Sequence, residues 1–278
     1  QMNRAAIRLA AGDYAVKTGI RQRDEIGALA GNLDILAQRL DASSRQSERM
    51  EQMRRDFVAN VSHELKTPIT VIRGSLEALH DGVVSDEAQV RDYYDQMLKE
   101  SKNLQRLVGD LLDLSRLQNT DFKLEMDRVS LWDVVSDVLR SAKALALQKG
   151  VEFDFANNAK GCTVWGDYGR LRQMVLIIVD NAVKFSPPEG RVTITLSRQS
   201  DIVLSIRDEG KGISPEDLPY IFDRFYKTRS AGNQSGTGLG LPIAKEIALR
   251  HDATLEAFSE EGRGSEFVLT IRGIAQSQ

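Results

Sequence analysis

Ile26, Leu29, Leu33, Leu36 and Leu40 alternate steps of three and four, and after polar Ser43 and Ser47 the rhythm resumes at Met50, Met53 and Phe57. It continues through Val61, Leu65, Ile69, Ile72, Leu76 and Leu79. This spacing fits one face of a helix and no strand. It predicts one nearly continuous helical rod over residues 24–79, with a soft joint at 41–47. A seam of this kind calls for a partner helix. Pro68 brings no backbone donor and should bend the rod.

Before the rod, Ala5, Ala6, Ile7 and Leu9 read as the end of a helix that Gly12-Asp13 stops. After it, His80-Asp81-Gly82 is a glycine stop. A second helix is expected over 87–117, where Val90, Met97, Leu104 and Leu111 lie seven apart and Leu107, Leu114 and Leu117 widen the stripe. The two helices make an antiparallel hairpin. Its apolar face is too wide for two helices to cover, and pairing two hairpins into a four-helix bundle buries it. A homodimer is therefore expected. Residues 119–121 read as a linker.

The chain has 278 residues, enough for about two domains. A net charge of −3 gives no general attraction to nucleic acid, so no nucleic-acid partner is expected. The single cysteine, Cys162, cannot form an internal disulfide and reads as a small buried residue in a cytosolic setting. No run of about eighteen apolar residues is long enough to span a membrane, and no signal peptide is evident.

From Leu124 the pattern becomes mixed. Helices are expected over 131–149, 168–185 and 239–251, and strands over 151–155, 162–165, 192–197, 202–207, 254–259 and 266–271. The expected class is α followed by α+β, with helices packed on one mixed sheet.

Three stretches there carry chemistry. Asp180-Asn181-Ala182-Val183-Lys184-Phe185 ends an otherwise apolar helix. An amide at Asn181 needs a partner in such a wall, and an oxygen-seeking Mg²⁺ bound to phosphates is one. Lys184 suits a phosphate and Phe185 a base. Asp208-Glu209-Gly210-Lys211-Gly212 follows a strand, where Asp208 can accept the exocyclic amine of adenine while Gly210 and Gly212 permit close backbone approach. Gly236-Thr237-Gly238-Leu239-Gly240 opens a helix whose backbone donors suit a triphosphate. The polar stretch 228–235 before it reads as a lid. Arg224 and Lys227, near Phe222 and Phe225, can offer charge to the γ-phosphate, although ordinary surface charge explains either alone.

In the rod, His63 falls opposite the apolar stripe, Thr67 shares its face one turn on, and Glu64 adjoins it. An imidazole with a pKa near 6.5 is mostly neutral at pH 7 and can act as a nucleophile while a carboxylate fixes its tautomer.

Asp24-Glu25-Ile26-Gly27, preceded by Ala11-Gly12-Asp13-Tyr14, resembles the second half of a HAMP domain; an ordinary dimerisation coil fits the same residues. The ordered set His63-Glu64-Leu65-Lys66-Thr67-Pro68, Asn181-Ala182-x-Lys184, Asp208-x-Gly210-x-Gly212, Phe222 with Phe225, and Gly236-Thr237-Gly238-Leu239-Gly240-Leu241 resembles the H, N, G1, F and G2 boxes of bacterial two-component sensor histidine kinases. The resemblance implies a HAMP-like coil (1–45), a dimerisation and phosphotransfer hairpin (46–120) and a Bergerat-type ATP-binding domain, an α/β sandwich (121–278). It implies His63 as phosphoacceptor, Glu64 as general base and Thr67 as the hydroxyl that orients water for dephosphorylation. Asn181 would be the Mg²⁺ ligand, Lys184 a phosphate contact and Asp208 the adenine reader. ATP and Mg²⁺ are the implied cofactors, and a response regulator receiver domain the implied partner. The expected setting is the cytoplasmic part of a cell-membrane protein whose transmembrane sensor lies upstream. One position departs from the family pattern: Ile177 stands where many relatives carry asparagine one turn before Asn181. A non-catalytic or phosphatase-dominant signalling protein is the alternative that Ile177 raises. Phe185, where tyrosine is common, keeps the packing surface.

Overall fold

The rod begins where the sequence places a cap: Asp24 Oδ1 accepts the Gly27 N–H at 2.9 Å, and a helix runs from there through Pro68. The structure is a computed structural model that describes residues 1–20, 22, 24–119, 121–158, 161–198, 200–228 and 236–274. The chain divides into two compact units, 1–64 and 65–278. Among the described residues no helix is long and apolar enough to cross a membrane.

The first unit holds α1 (Met2–Ala10) and the opening stretch of α2 (Glu25–His80). Gly12, at φ +89°, turns the chain after α1, as its lack of a Cβ allows. Ala5 and Leu9 of α1 pack with Val16 and with Ala37 of α2, flanked by Tyr14, Leu33 and Leu40. Thr18 donates its N–H and its hydroxyl to the Asp34 carboxylate at 2.7 and 3.0 Å, fixing the connecting segment on the helix. The helix is uninterrupted at the expected soft joint, where Arg45 pairs with Asp41 at 3.0 Å.

In the second unit, the rest of α2 is followed by α3 (Glu87–Gln118), capped by Asp86, which accepts the Gln89 N–H at 3.1 Å. Leu107, Leu114 and Leu117 of α3 join the main core. Other apolar positions on these helices stay exposed: Ile69 and Leu76 at 52%, Leu98 and Leu112 at 54%.

The α/β part contains β1 (Asp127–Ser130), α4 (Leu131–Lys149), β2 (Glu152–Asn157), β3 (Thr163–Gly166), α5 (Tyr168–Phe185), β4 (Arg191–Arg198), β5 (Ile202–Asp208), α6 (Gly240–Arg250), β6 (Thr254–Glu260) and β7 (Gly264–Ile271). A five-stranded sheet runs β2-β4-β5-β7-β6, parallel between β2 and β4 and antiparallel elsewhere. Alternate residues such as Ile194, Leu196, Leu204, Ile206 and Leu269 are buried, so the sheet has one core face. The expectation of a single sheet is corrected. The strand at Thr163–Gly166 pairs instead with β1 as a separate antiparallel ribbon, in which Val129 and Val164 are buried opposite each other. Ser130 caps α4 and Asp167 caps α5, accepting N–H groups at 3.3 and 3.0 Å. The second half of α5 and the start of α6 then open onto a common cavity.

Candidate active site

A cavity of ≈ 280 Å³ lies at the C-terminal end of α5. Ile177, Asp180, Asn181 and Lys184 line it, and their spacing of three and four puts them on one helical face. Phe185 also lines it, with the Lys184 and Lys211 ammonium groups 4.8 and 5.3 Å from its ring centroid. Burial lowers the proton affinity of Lys184, and the nearby positive charges of Arg106, Lys211 and Lys227 lower it further. Four cationic side chains, Arg106, Lys184, Lys211 and Lys227, therefore line one cavity, the signature of an anion site.

At the end of β5, Asp208 is only 3% exposed. Its Oδ1 accepts the N–H of Gly210 at 2.8 Å and of Ser265 at 3.3 Å. Burial raises its pKa, and these two backbone donors partly offset the rise. Both bonds fall on Oδ1, and Asp208 also lines the cavity. Gly210 cannot be replaced cheaply. A Cβ there would lie 2.5 Å from the Phe185 carbonyl oxygen and 2.6 Å from Asp208 Oδ1. Gly212, at φ +70°, has the Glu260 carbonyl oxygen 2.1 Å from where a Cβ would stand.

The glycine-rich stretch closes another wall. Gly236, Thr237, Gly238 and Gly240 line the cavity. Gly238 is at φ +69°, and a Cβ on it would meet Phe225 Cα at 2.8 Å. Phe225, itself at φ +62°, donates its N–H to the Gly238 carbonyl at 2.9 Å. The two segments are thus locked backbone to backbone, at a cost of about 1–3 kcal/mol for a left-handed phenylalanine. A Cβ on Gly240 would lie 3.3 Å from Ile177 Cγ2, so the isoleucine packs against the start of α6.

Not every expected residue reaches the cavity. Arg224 is exposed and outside its lining, and Leu239 is fully buried in the core, where its N–H donates to Thr237 Oγ1 at 3.3 Å. Gly210 supports Asp208 from below the lining. Lys227 and Thr228 line the cavity, while lid positions 229–235 lie outside the described residues, as does Thr120 of the expected linker. Arg106 and Asp110 of α3, Asp180, Lys211 and Tyr226 also line the cavity and were not among the expected residues. On α2, His63 and Thr67 are exposed and Glu64 is half-buried. The remaining predicted aromatic, Phe222, is half-buried, edge-on to Phe267 with centroids 6.5 Å apart.

Three family models match the chain in order: the HAMP domain over residues 1–42, the His Kinase A (phospho-acceptor) domain over 53–120, and the histidine kinase-, DNA gyrase B- and HSP90-like ATPase over 166–273. The phosphate regulon sensor protein PhoR of Pseudomonas aeruginosa is 38% identical over 221 residues, which is 78% of this chain and 50% of PhoR. The chain thus spans about half the length of this curated relative. Among solved structures, the histidine kinase AdeS of Acinetobacter baumannii is 28% identical with a TM-score of 0.63, over 76% of this chain and 97% of that one. Full-length ShkA in complex with AMPPNP is 26% identical with a TM-score of 0.59, over 80% of this chain and 47% of that one.

Proposed function

Given that this chain belongs to the sensor histidine kinase family, we propose that it transfers the γ-phosphoryl group of ATP to His63 and passes it on to an aspartate of a response regulator receiver domain. The observation that carries this reading is the set of side chains that line the cavity. Lys184, Lys211 and Lys227 line the same cavity as the buried Asp208, so phosphate-seeking cations and a carboxylate acceptor face one space. An adenine nucleotide matches both, with its amine on Asp208 and its phosphates among the ammonium groups and the backbone donors at the start of α6. The AMPPNP bound by ShkA agrees with that choice of ligand. Asn181 supplies one amide oxygen, suited to a Mg²⁺ ion whose remaining ligands are phosphate oxygens and water. Bound there, Mg²⁺ would neutralise phosphate charge.

The residues of the chain divide the work. One ring nitrogen of His63 attacks the γ-phosphorus, and an N–P bond forms as the bond to the β,γ-bridging oxygen breaks and ADP leaves. Glu64 holds the N–H of the other ring nitrogen and stabilises the positive charge that develops on the imidazole. The glycine-rich stretch and the cations retain the departing diphosphate. Thr67 orients a water for hydrolysis of the regulator's aspartyl phosphate. The working unit is a homodimer, paired through the exposed apolar positions of the hairpin helices, and the HAMP segment connects it to a membrane-borne sensor.

Incubation with Mg²⁺ and γ-labelled ATP tests the proposal. Acid-labile, alkali-stable label on the chain, absent from His63→Ala, is the expected outcome. Nucleotide binding without label would instead favour a phosphatase or scaffold. Ile177, the apolar residue in the cavity wall, would then be the first to change to asparagine.

A further inference from the structure

The nucleotide cavity has a wall that the α/β part does not supply. Arg106 and Asp110 stand one turn apart on α3, share a face, and both line the cavity. Asp110 Oδ2 accepts a hydrogen bond from Thr237 Oγ1 at 2.7 Å, joining α3 to the middle of the glycine-rich stretch across 127 residues of sequence. Further along α3, the Asp113 carboxylate accepts from Arg170 Nη1 at 3.0 Å and from Gln173 Nε2 at 2.8 Å, both on α5. Leu107, Leu114 and Leu117 bury into the same core as α5 and α6. The helix is held along this face by apolar burial and by side-chain bonds at two levels.

Arg106 has no ion-pair partner among the described residues. Its charge is nonetheless felt inside the cavity: it lowers the pKa of Asp110 and of Asp180, against the rise that burial causes, and adds to the fall at Lys184. A guanidinium carries a planar set of donors matched to phosphate oxygens. Here it stands at the mouth of a site already lined by Lys184, Lys211 and Lys227.

We propose that Arg106 is a phosphate-binding residue contributed by the phosphotransfer hairpin, and that the Asp110–Thr237 bond holds the glycine-rich stretch in reach of it. The ligand class is a nucleoside polyphosphate, and the part recognised is the phosphate chain. This assignment rests on the nucleotide reading of the cavity. Binding of the polyphosphate then ties α3 to the ATP-binding region, so nucleotide occupancy governs how tightly the hairpin is held.

The test uses the whole chain and measures binding without turnover. AMPPNP with Mg²⁺ is titrated by calorimetry against the unmodified chain, Arg106→Ala and Arg106→Lys, and adenosine is measured by competition. Hydrogen exchange over residues 103–117 is followed with and without AMPPNP. Loss of one charge-assisted phosphate contact should weaken AMPPNP binding about tenfold in Arg106→Ala, with partial recovery in Arg106→Lys and adenosine unaffected. AMPPNP should slow exchange in α3 of the unmodified chain and do so less in Arg106→Ala. Equal AMPPNP affinity in the unmodified chain and Arg106→Ala, or a parallel loss of adenosine binding, overturns the assignment. Failure of the unmodified chain to bind either ligand overturns the nucleotide reading itself, and this inference with it.

Discussion

At the scale of single residues, Asp208 shows what the site demands of the fold. It is a carboxylate only 3% exposed, and burial raises its pKa because the charged form is disfavoured there. Because its folded pKa lies above the unfolded one, ionising this group costs the native state stability as pH rises past the ordinary carboxyl value. Asp208→Asn keeps an oxygen for the Gly210 and Ser265 N–H groups while removing the charge. It should raise the melting temperature of the nucleotide-free chain by about 1–4 °C and weaken ADP binding at least about tenfold, as differential scanning calorimetry and titration would record. Stability gained and function lost at one position is the trade-off expected of a binding site. Glu64 poses the complementary case on α2. Glu64→Gln should slow autophosphorylation by about 10²–10⁴-fold if it acts as the base; a near-normal rate in single-turnover assays would remove it from that role.

Among the elements, the junction of α5 and α6 is sewn by one imidazole. His251 Nδ1 donates to the Ile247 carbonyl at 2.7 Å, and Nε2 accepts the Asp167 N–H at 3.0 Å. Asp167 is also the cap of α5. The ring must be neutral to accept that bond, and its pKa is lowered, chiefly by burial. The unfolded chain therefore binds the proton more readily, and stability falls as pH drops through about 6.5, the ordinary histidine value, until the folded pKa is passed. Thermal melts between pH about 8 and about 5 should show this decline, and His251→Gln should flatten it; an unchanged slope would clear His251 of the effect. Element boundaries were readable wherever local chemistry marks them. The helix expected over 168–185 is observed as Tyr168–Phe185, with Asp167 as its cap. The ribbon strand Asp127–Ser130 carried no such mark, since Val129 is its sole apolar residue. It exists because Val164 is buried across from it, a long-range reason that periodicity does not contain. Arg106 and Asp110 escaped notice for the same cause: on α3 they read as ordinary solvated charge, and only the folded chain brings them to Thr237.

For the molecule as a whole, the unpartnered apolar surface sets the expected assembly. Ile69, Leu76, Leu98 and Leu112 are all more than half exposed in one copy of the chain, more than a water-facing hairpin needs. Sedimentation should give the mass of two chains, and Leu76→Glu with Leu98→Glu should shift it to one; a chain that stays single at micromolar concentration counts against the bundle. The box residues pointed to one place before the fold, and Asn181, Lys184, Asp208, Gly236, Thr237 and Gly238 do line one cavity. Ile177 is the exception, an apolar wall beside Gly240 where the sequence resemblance leads one to expect an amide. That difference has a pharmacological side. An inhibitor that fills this cavity and directs a methyl group at this wall would gain about 0.8 kcal/mol here, whereas the same group against asparagine must strip water from an amide. Ile177 is therefore a handle by which a small molecule could tell this chain from a protein with an amide at that place.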